Sequence, residues 1–204
     1  MISDQQIGDA SLEWGHPNLS TIISNSSFER CEININCSAR GIIFSECIFQ
    51  ECTIKVKRPF TSYQFYKVGF EGCSFIGRYP GCEFGYRSLP ATRREKRKMK
   101  GFIRRCDFRQ AMLDLVAFNT TDLDSLLLPP WPHFVVKSEA AFSMVKEFAN
   151  DAKWMNYTRI GWPTDMSSIV MIYHSGGNRG FRMAMEDALG VLQQYPDVIT
   201  ITKE

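Results

Sequence analysis

Large apolar residues recur at every fifth position over long stretches of this chain, and a small residue stands two places before many of them. The segment Ser26-Ser27-Phe28-Glu29-Arg30-Cys31-Glu32-Ile33 shows the pattern. It returns in Ala111-Met112-Leu113-Asp114-Leu115-Val116-Ala117-Phe118-Asn119-Thr120-Thr121-Asp122-Leu123. A period of five matches neither the roughly 3.6-residue period of a helix nor the period of about 2 of a strand, so the chain must turn a corner once per repeat.

The repeat can be followed from about Thr21 to Leu128. Its large positions read Ile23, Phe28, Ile33, Ile43, Phe49, Ile54, Phe65, Phe70, Phe75, Phe84, Phe108, Leu113, Phe118, Leu123 and Leu128. The phase slips between some groups, which predicts bulged or lengthened corners, because the small-x-large signature returns after each slip. The expected core comprises Phe28, Ile33, Phe49, Ile54, Phe65, Phe70, Phe75, Phe84, Phe108, Leu113, Phe118 and Leu123. One repeat buries too little apolar surface to offset the entropy of ordering it, so stability must come from stacking coils about 4.8 Å apart.

Six of the seven cysteines (Cys31, Cys47, Cys52, Cys73, Cys82, Cys106) occupy the small slot of a repeat. There a thiol acts as a small buried hydrophobe. The count is odd and the spacing offers neither Cys-x-x-Cys nor a zinc-ligand cluster, so no disulfide framework, metal or other cofactor is expected.

Cys106-Asp107-Phe108-Arg109-Gln110 and Ala111-Met112-Leu113-Asp114-Leu115 closely resemble the consensus of the pentapeptide-repeat family: a small residue, a polar one, Leu or Phe, then two variable positions. The resemblance covers a little over half of the chain. It implies a mainly β fold, a right-handed quadrilateral parallel β-helix in which four repeats make one square coil and both the small and the large slots point inward. Coils of about 20 residues would then number roughly four to five.

Residues 1–20 read as an N-terminal segment, 21–131 as the β-helix and 132–204 as a C-terminal capping or interaction module. Between 85 and 101 the repeat lapses into a charged stretch too polar for a core, expected as a projecting loop. Pro129-Pro130-Trp131-Pro132 ends the coils, since prolines cannot supply ladder hydrogen bonds. The module is expected to be α/β or mostly helical. One helix follows Ser138 with Phe142, Val145, Ala149 and Ala152 on a face, and a second follows Asn178 with Phe181, Met185, Ala188, Leu189 and Leu192. Ile169–Tyr173 reads as a strand or a buried helical turn and Val198–Thr202 as a strand. Covering the open end of the coils is the structural task the module fits best.

Charge adds a second feature. Nine basic residues and one acid between Arg87 and Arg105 give that segment +8, while the remaining 15 basic and 21 acidic residues give −6. Arg93, Arg94, Lys96, Arg97, Lys98 and Lys100 are the candidate partner-contact residues, because Arg-rich segments make salt-dependent contacts with carboxylates. The same run could be a solvated loop, or could touch nucleic-acid phosphates, although interleaved aromatics and a base-reading fold are missing from it. Glu29, Glu32, Glu46, Glu51 and Glu71 flank inward positions and read as a solvated acidic face.

No catalytic residues are assigned. His174-Ser175-Gly176-Gly177 lacks the Gly-x-Ser-x-Gly elbow, and a nucleotide or hydrolytic site there would rest on one glycine cluster. No apolar run approaches the roughly 20 residues that cross a bilayer, and the N-terminus lacks a secretion-signal pattern, so a cytoplasmic location is expected. The functional expectation is a non-enzymatic inhibitor that occludes a protein partner, a toxin or another enzyme, as immunity proteins do. The alternative is a DNA-mimicking topoisomerase (gyrase) binder of the kind known in the pentapeptide-repeat family. Homodimerisation is compatible with either; neither nucleic acid nor membrane is expected as a partner.

Overall fold

The computed structural model describes residues 1–16, 19–86, 100–137, 166–172, 184–197 and 199–201. Three short strands, β1 (Ile2–Ser3), β2 (Gln6–Gly8) and β3 (Ser11–Trp14), open the chain. The next pass supplies β4 (Thr21–Ser24), β5 (Ser27–Glu29) and β6 (Glu32–Ile35), and the next β7 (Ile42–Ser45), β8 (Cys47–Gln50) and β9 (Thr53–Val56). There follow β10 (Val68–Glu71), β11 (Ser74–Arg78), β12 (Glu83–Gly85), β13 (Phe102–Arg104), β14 (Ala111–Met112) and β15 (Val116–Asn119). Beyond the coils lie β16 (His133–Val136), β17 (Met166–Ile172), helix α1 (Met185–Leu192) and β18 (Ile199–Ile201).

Successive passes stack in parallel and make a β-solenoid. Its first side is β1-β4-β7, its second β2-β5-β8-β10-β13 and its third β3-β6-β9-β11-β14. Beyond β7 the first side continues through Gln64 and Phe65 to β12 and β15, which pair in parallel. The shaft therefore begins at Ile2, where the sequence had suggested only a preceding segment: Ile2, Ile7 and Leu12 lie in register with Ile23, Phe28 and Ile33.

A coil is one residue longer than four even repeats of five. Cys31 and Cys52 occupy the same slot of neighbouring coils and stand 21 residues apart, joined by a 3.4 Å contact from the Cys31 amide to the Cys52 thiol. Ile7, Phe28, Phe49 and Phe70 keep that step from coil to coil. The surplus residue belongs to the fourth side. Ile23, Phe28 and Ile33 are five apart, but the first-side residue that matches Ile23 on the next coil is Phe44, eleven beyond Ile33. That step corrects the expectation for Ile43, which an even spacing of five turns inward. Ile42 and Phe44 are buried, and Ile43 is 48% exposed.

The remaining inward residues form ladders. Phe28, Phe49 and Phe70 stack with ring centroids 5.0 and 5.3 Å apart. Phe65, Phe84 and Phe118 stack at 4.7 and 5.6 Å, and Phe75 and Phe108 at 4.4 Å. Such pairs add about 0.5–1.5 kcal/mol each beyond their burial. Of the expected core, only Leu123 is not fully enclosed: it sits in a 3-10 turn, Leu123–Ser125, packed against the edge of the core, and Leu126 is buried instead. All seven cysteines are buried and unbridged. The thiols of Cys47, Cys52, Cys73 and Cys82 donate to the carbonyls of Ile23, Phe28, Phe49 and Phe60, 22 or 24 residues earlier.

Two corners are built from residues with left-handed backbone. Asp4, Asn25 and Glu46 form one column, and Asp9, Arg30, Glu51, Gly72 and Arg105 the other. Left-handed φ costs a non-glycine residue roughly 1–2 kcal/mol. Here the corner amides from Asp4 to Gly72 each gain a bond to the next coil, as from Asn25 to the Ser45 carbonyl at 3.0 Å and from Arg30 to the Gln50 carbonyl at 2.9 Å.

At the far end the sheet changes direction. β17 pairs antiparallel with β15, and β16 lies antiparallel between β17 and β18. All of β16 is buried, as are Ser168 to Met171 of β17 and Ala188 and Leu192 of α1. The described part of the C-terminal region is thus α/β, and Ile169 to Ile172 are strand. The helix expected after Ser138, and the start of the one after Asn178, lie outside the described residues. Among the described residues no helix is long and apolar enough to cross a membrane.

Candidate functional site

The basic segment interrupts the coils without disturbing them. Phe70 pairs with Ile103, and beside them Glu71 and Arg104 meet across 33 residues of chain. Phe84 pairs with Phe118, and close by Tyr86 and Thr120 meet across 34 residues. An ordinary coil spans 21 residues, as between Asp9 and Arg30. This passage therefore carries about a dozen more than a coil needs, and the ladders resume in register. The two flanks of the extra segment meet: Lys100 Nζ lies 4.7 Å from the centre of the Tyr86 ring. Thr120 Oγ1 donates to the Tyr86 carbonyl at 3.2 Å, and the Gly101 amide donates to the Tyr66 carbonyl at 2.7 Å.

Of the six residues singled out by charge, Lys100 is exposed at this root, and Arg93, Arg94, Lys96, Arg97 and Lys98 lie outside the described residues. Arg104 and Arg105, counted in the same +8 run, are engaged by the shaft. Both pair with Glu71, Arg104 Nε reaching Oε2 at 2.8 Å.

That pairing is general along the shaft, and it alters the reading of the acidic face. Arg30 bridges Asp9 at 2.7 Å and Glu29; Lys55 holds Glu32 at 2.7 Å; Lys57 stands 3.9 Å from Glu13. The Arg30 guanidinium holds the Asp9 carboxyl below the usual carboxylate range, and Lys55 does the same to Glu32. Glu29, Glu32 and Glu71 are therefore parts of ion pairs along the coils rather than a bare acidic strip. Pairs so open to solvent are screened and contribute little stability singly.

A surface that sequence reasoning missed lies on the first side. Ile22 pairs with Ile43, and both point outward because Ile23 and Phe44 point in. Met1 precedes Ile22 in this column, and Ser3, Ser24 and Ser45 form the other outward column. Each outward position on β1, β4 and β7 is apolar or hydroxyl-bearing, with no charge. The signal was present in Ile22-Ile23 and Ile42-Ile43-Phe44, where adjacent apolar residues break the alternation a half-buried strand requires.

Beside this side runs the corner column Asp4, Asn25 and Glu46, which register continues into Lys67 and then Lys100. The corner changes sign along the shaft, acidic toward β1 and basic toward the insertion. A surface depression of about 410 Å3 opens at its acidic end, lined in part by Asp4, Asn25, Ser26 and Glu46.

Candidate chemistry is sparse among the described residues. No three His, Cys, Asp or Glu residues converge as a metal site there. Burial pushes the Cys82 thiol up to about 12, which keeps it protonated and unreactive. His133 is buried in a structural role: its Nε2 accepts from the Leu113 amide at 3.3 Å, and Nδ1 lies 3.1 Å from the Pro130 carbonyl. The His174-Ser175-Gly176-Gly177 stretch lies outside the described residues. No family model, curated protein or solved structure matches this chain.

Proposed function

We propose that this is a non-enzymatic protein-binding protein of the pentapeptide-repeat kind, an inhibitor that works in the cytoplasm by occluding a partner's surface, as immunity proteins do to toxins. The observation that carries the reading is the preserved register across the insertion: a strongly basic segment is added to a rigid shaft without disturbing the ladders beneath it. A segment that does not serve the core is free to serve recognition, and its charge selects an acidic protein surface.

The test is capture of a partner from native-cell lysate, followed by affinity measurement with the purified pair at low and high salt. Reversing Arg93, Arg94, Arg97 and Lys98 to Glu should slow association and flatten its salt dependence. An unchanged affinity and salt slope would remove the segment from the interface. The DNA-mimic alternative draws less support, because Glu29, Glu32 and Glu71 are ion-paired. Inhibition or protection of purified gyrase in a supercoiling assay would revive it.

A further inference from the structure

We propose that the first side of the shaft is a self-association surface, whose occupant is a second copy of this chain packed with its shaft antiparallel. The argument begins with the uncharged outer columns. Ile43 is 48% exposed beside Ile22 on the part of this side made by β1, β4 and β7, whose outward positions carry no charge, an arrangement that favours covering the two side chains. An isologous dimer solves this by placing each patch against itself.

The corner column fixes the orientation. A two-fold axis along the strand direction reverses the shafts and keeps this corner against its own counterpart. With the axis midway between the β4 and β7 levels, Ile22 meets Ile43 of the other copy and Asn25 meets Glu46. The same operation sets Asp4, at the acidic depression, against Lys67. An axis along the shaft would instead keep the shafts parallel and carry the two corner columns to opposite edges, leaving their charges unmatched. The sign change from Asp4 and Glu46 to Lys67 and Lys100 therefore favours the antiparallel arrangement. The patch spans only a few strands, which suits a weak dimer, with a Kd of about 10–100 µM.

Sedimentation velocity on the full chain from about 5 to about 500 µM brackets that range. A dimer should accumulate with concentration and recede with added salt. Ile43→Arg should weaken it at least about tenfold, and, because the residue is on the surface, should keep the wild-type melting curve. Asp4→Lys should weaken it about fivefold, and adding Lys67→Glu should restore affinity to within about threefold of wild type. A chain that stays monomeric throughout, or a dimer that Ile43→Arg leaves intact, overturns the proposal. No partner protein enters the measurement, so its outcome is independent of the inhibitor reading.

Discussion

The Gly101 amide donates to the Tyr66 carbonyl at 2.7 Å, closing the chain back onto the shaft immediately after the basic segment. The contact is tight enough to demand glycine: a Cβ at 101 would stand 2.5 Å from the Phe65 carbonyl oxygen and 2.7 Å from the Tyr66 carbonyl. Backbone atoms cannot yield as a flexible side chain would. Gly101→Ala should therefore destabilise the chain by about 1–3 kcal/mol, read from urea unfolding. A loss below a few tenths would mean that the segment's root is not seated as described.

Phe84 is the most consequential ring to remove. It stacks on Phe65 and Phe118 and meets Phe70, Phe75 and Phe108 edge-on. Phe84→Ala should cost about 3–5 kcal/mol in equilibrium unfolding. Ile43→Ser, on the outer face of the same shaft, should stay within about 0.5 kcal/mol of wild type.

His133 ties the start of β16 to the last coil through the Leu113 amide. His133→Ala leaves that buried donor without its acceptor, which should cost about 1–3 kcal/mol. Hydrogen exchange should show the Leu113 amide losing protection before the Phe70 amide does, since Phe70 lies deep among the stacked coils.

Alkali should loosen the fold from within. Burial pushes both the Cys82 thiol and the Tyr63 hydroxyl up to about 12, from ordinary values of 9.0 and 10.0. The unfolded chain therefore ionises these groups first. Their stabilising contribution is complete below pH 9 and declines as pH rises toward about 12. Urea midpoints measured from about pH 7 to about pH 11 should fall above about pH 9, and Cys82→Ala should make the decline shallower. A flat profile would show that neither group resists ionisation in the folded chain.

Much of the shaft is legible in the sequence because inward slots impose their own residues. Phe28, Ile33, Phe49, Ile54, Phe70 and Phe75 all stand where a spacing of five places them. Ile43 fails because the surplus residue of each coil is hidden on the fourth side, where no inward repeat marks it. The first coil escaped notice since Gln5 fills the small slot before Ile7, although Ala10-Ser11-Leu12 keeps the signature. β16 was obscured by the prolines before it, which read as an end when they are also a turn into a reversed strand. The ion pairs between coils could not be read at all. Arg30 and Asp9 meet 21 residues apart and Arg104 and Glu71 meet 33 apart, separations that depend on a coil length and an insertion length known only from the fold.

The reversal at β15 and β17 sets where the shaft can and cannot grow. A parallel stack offers the next coil slanted, evenly spaced hydrogen bonds, and an antiparallel neighbour replaces them with paired perpendicular ones. Once β17 is in place, no further coil can add beyond β15 in the same register. Length is therefore a heritable variable only upstream of that strand. A duplicated coil spliced between β6 and β9 would lengthen the molecule by one rung of about 4.8 Å and leave the terminal sheet untouched.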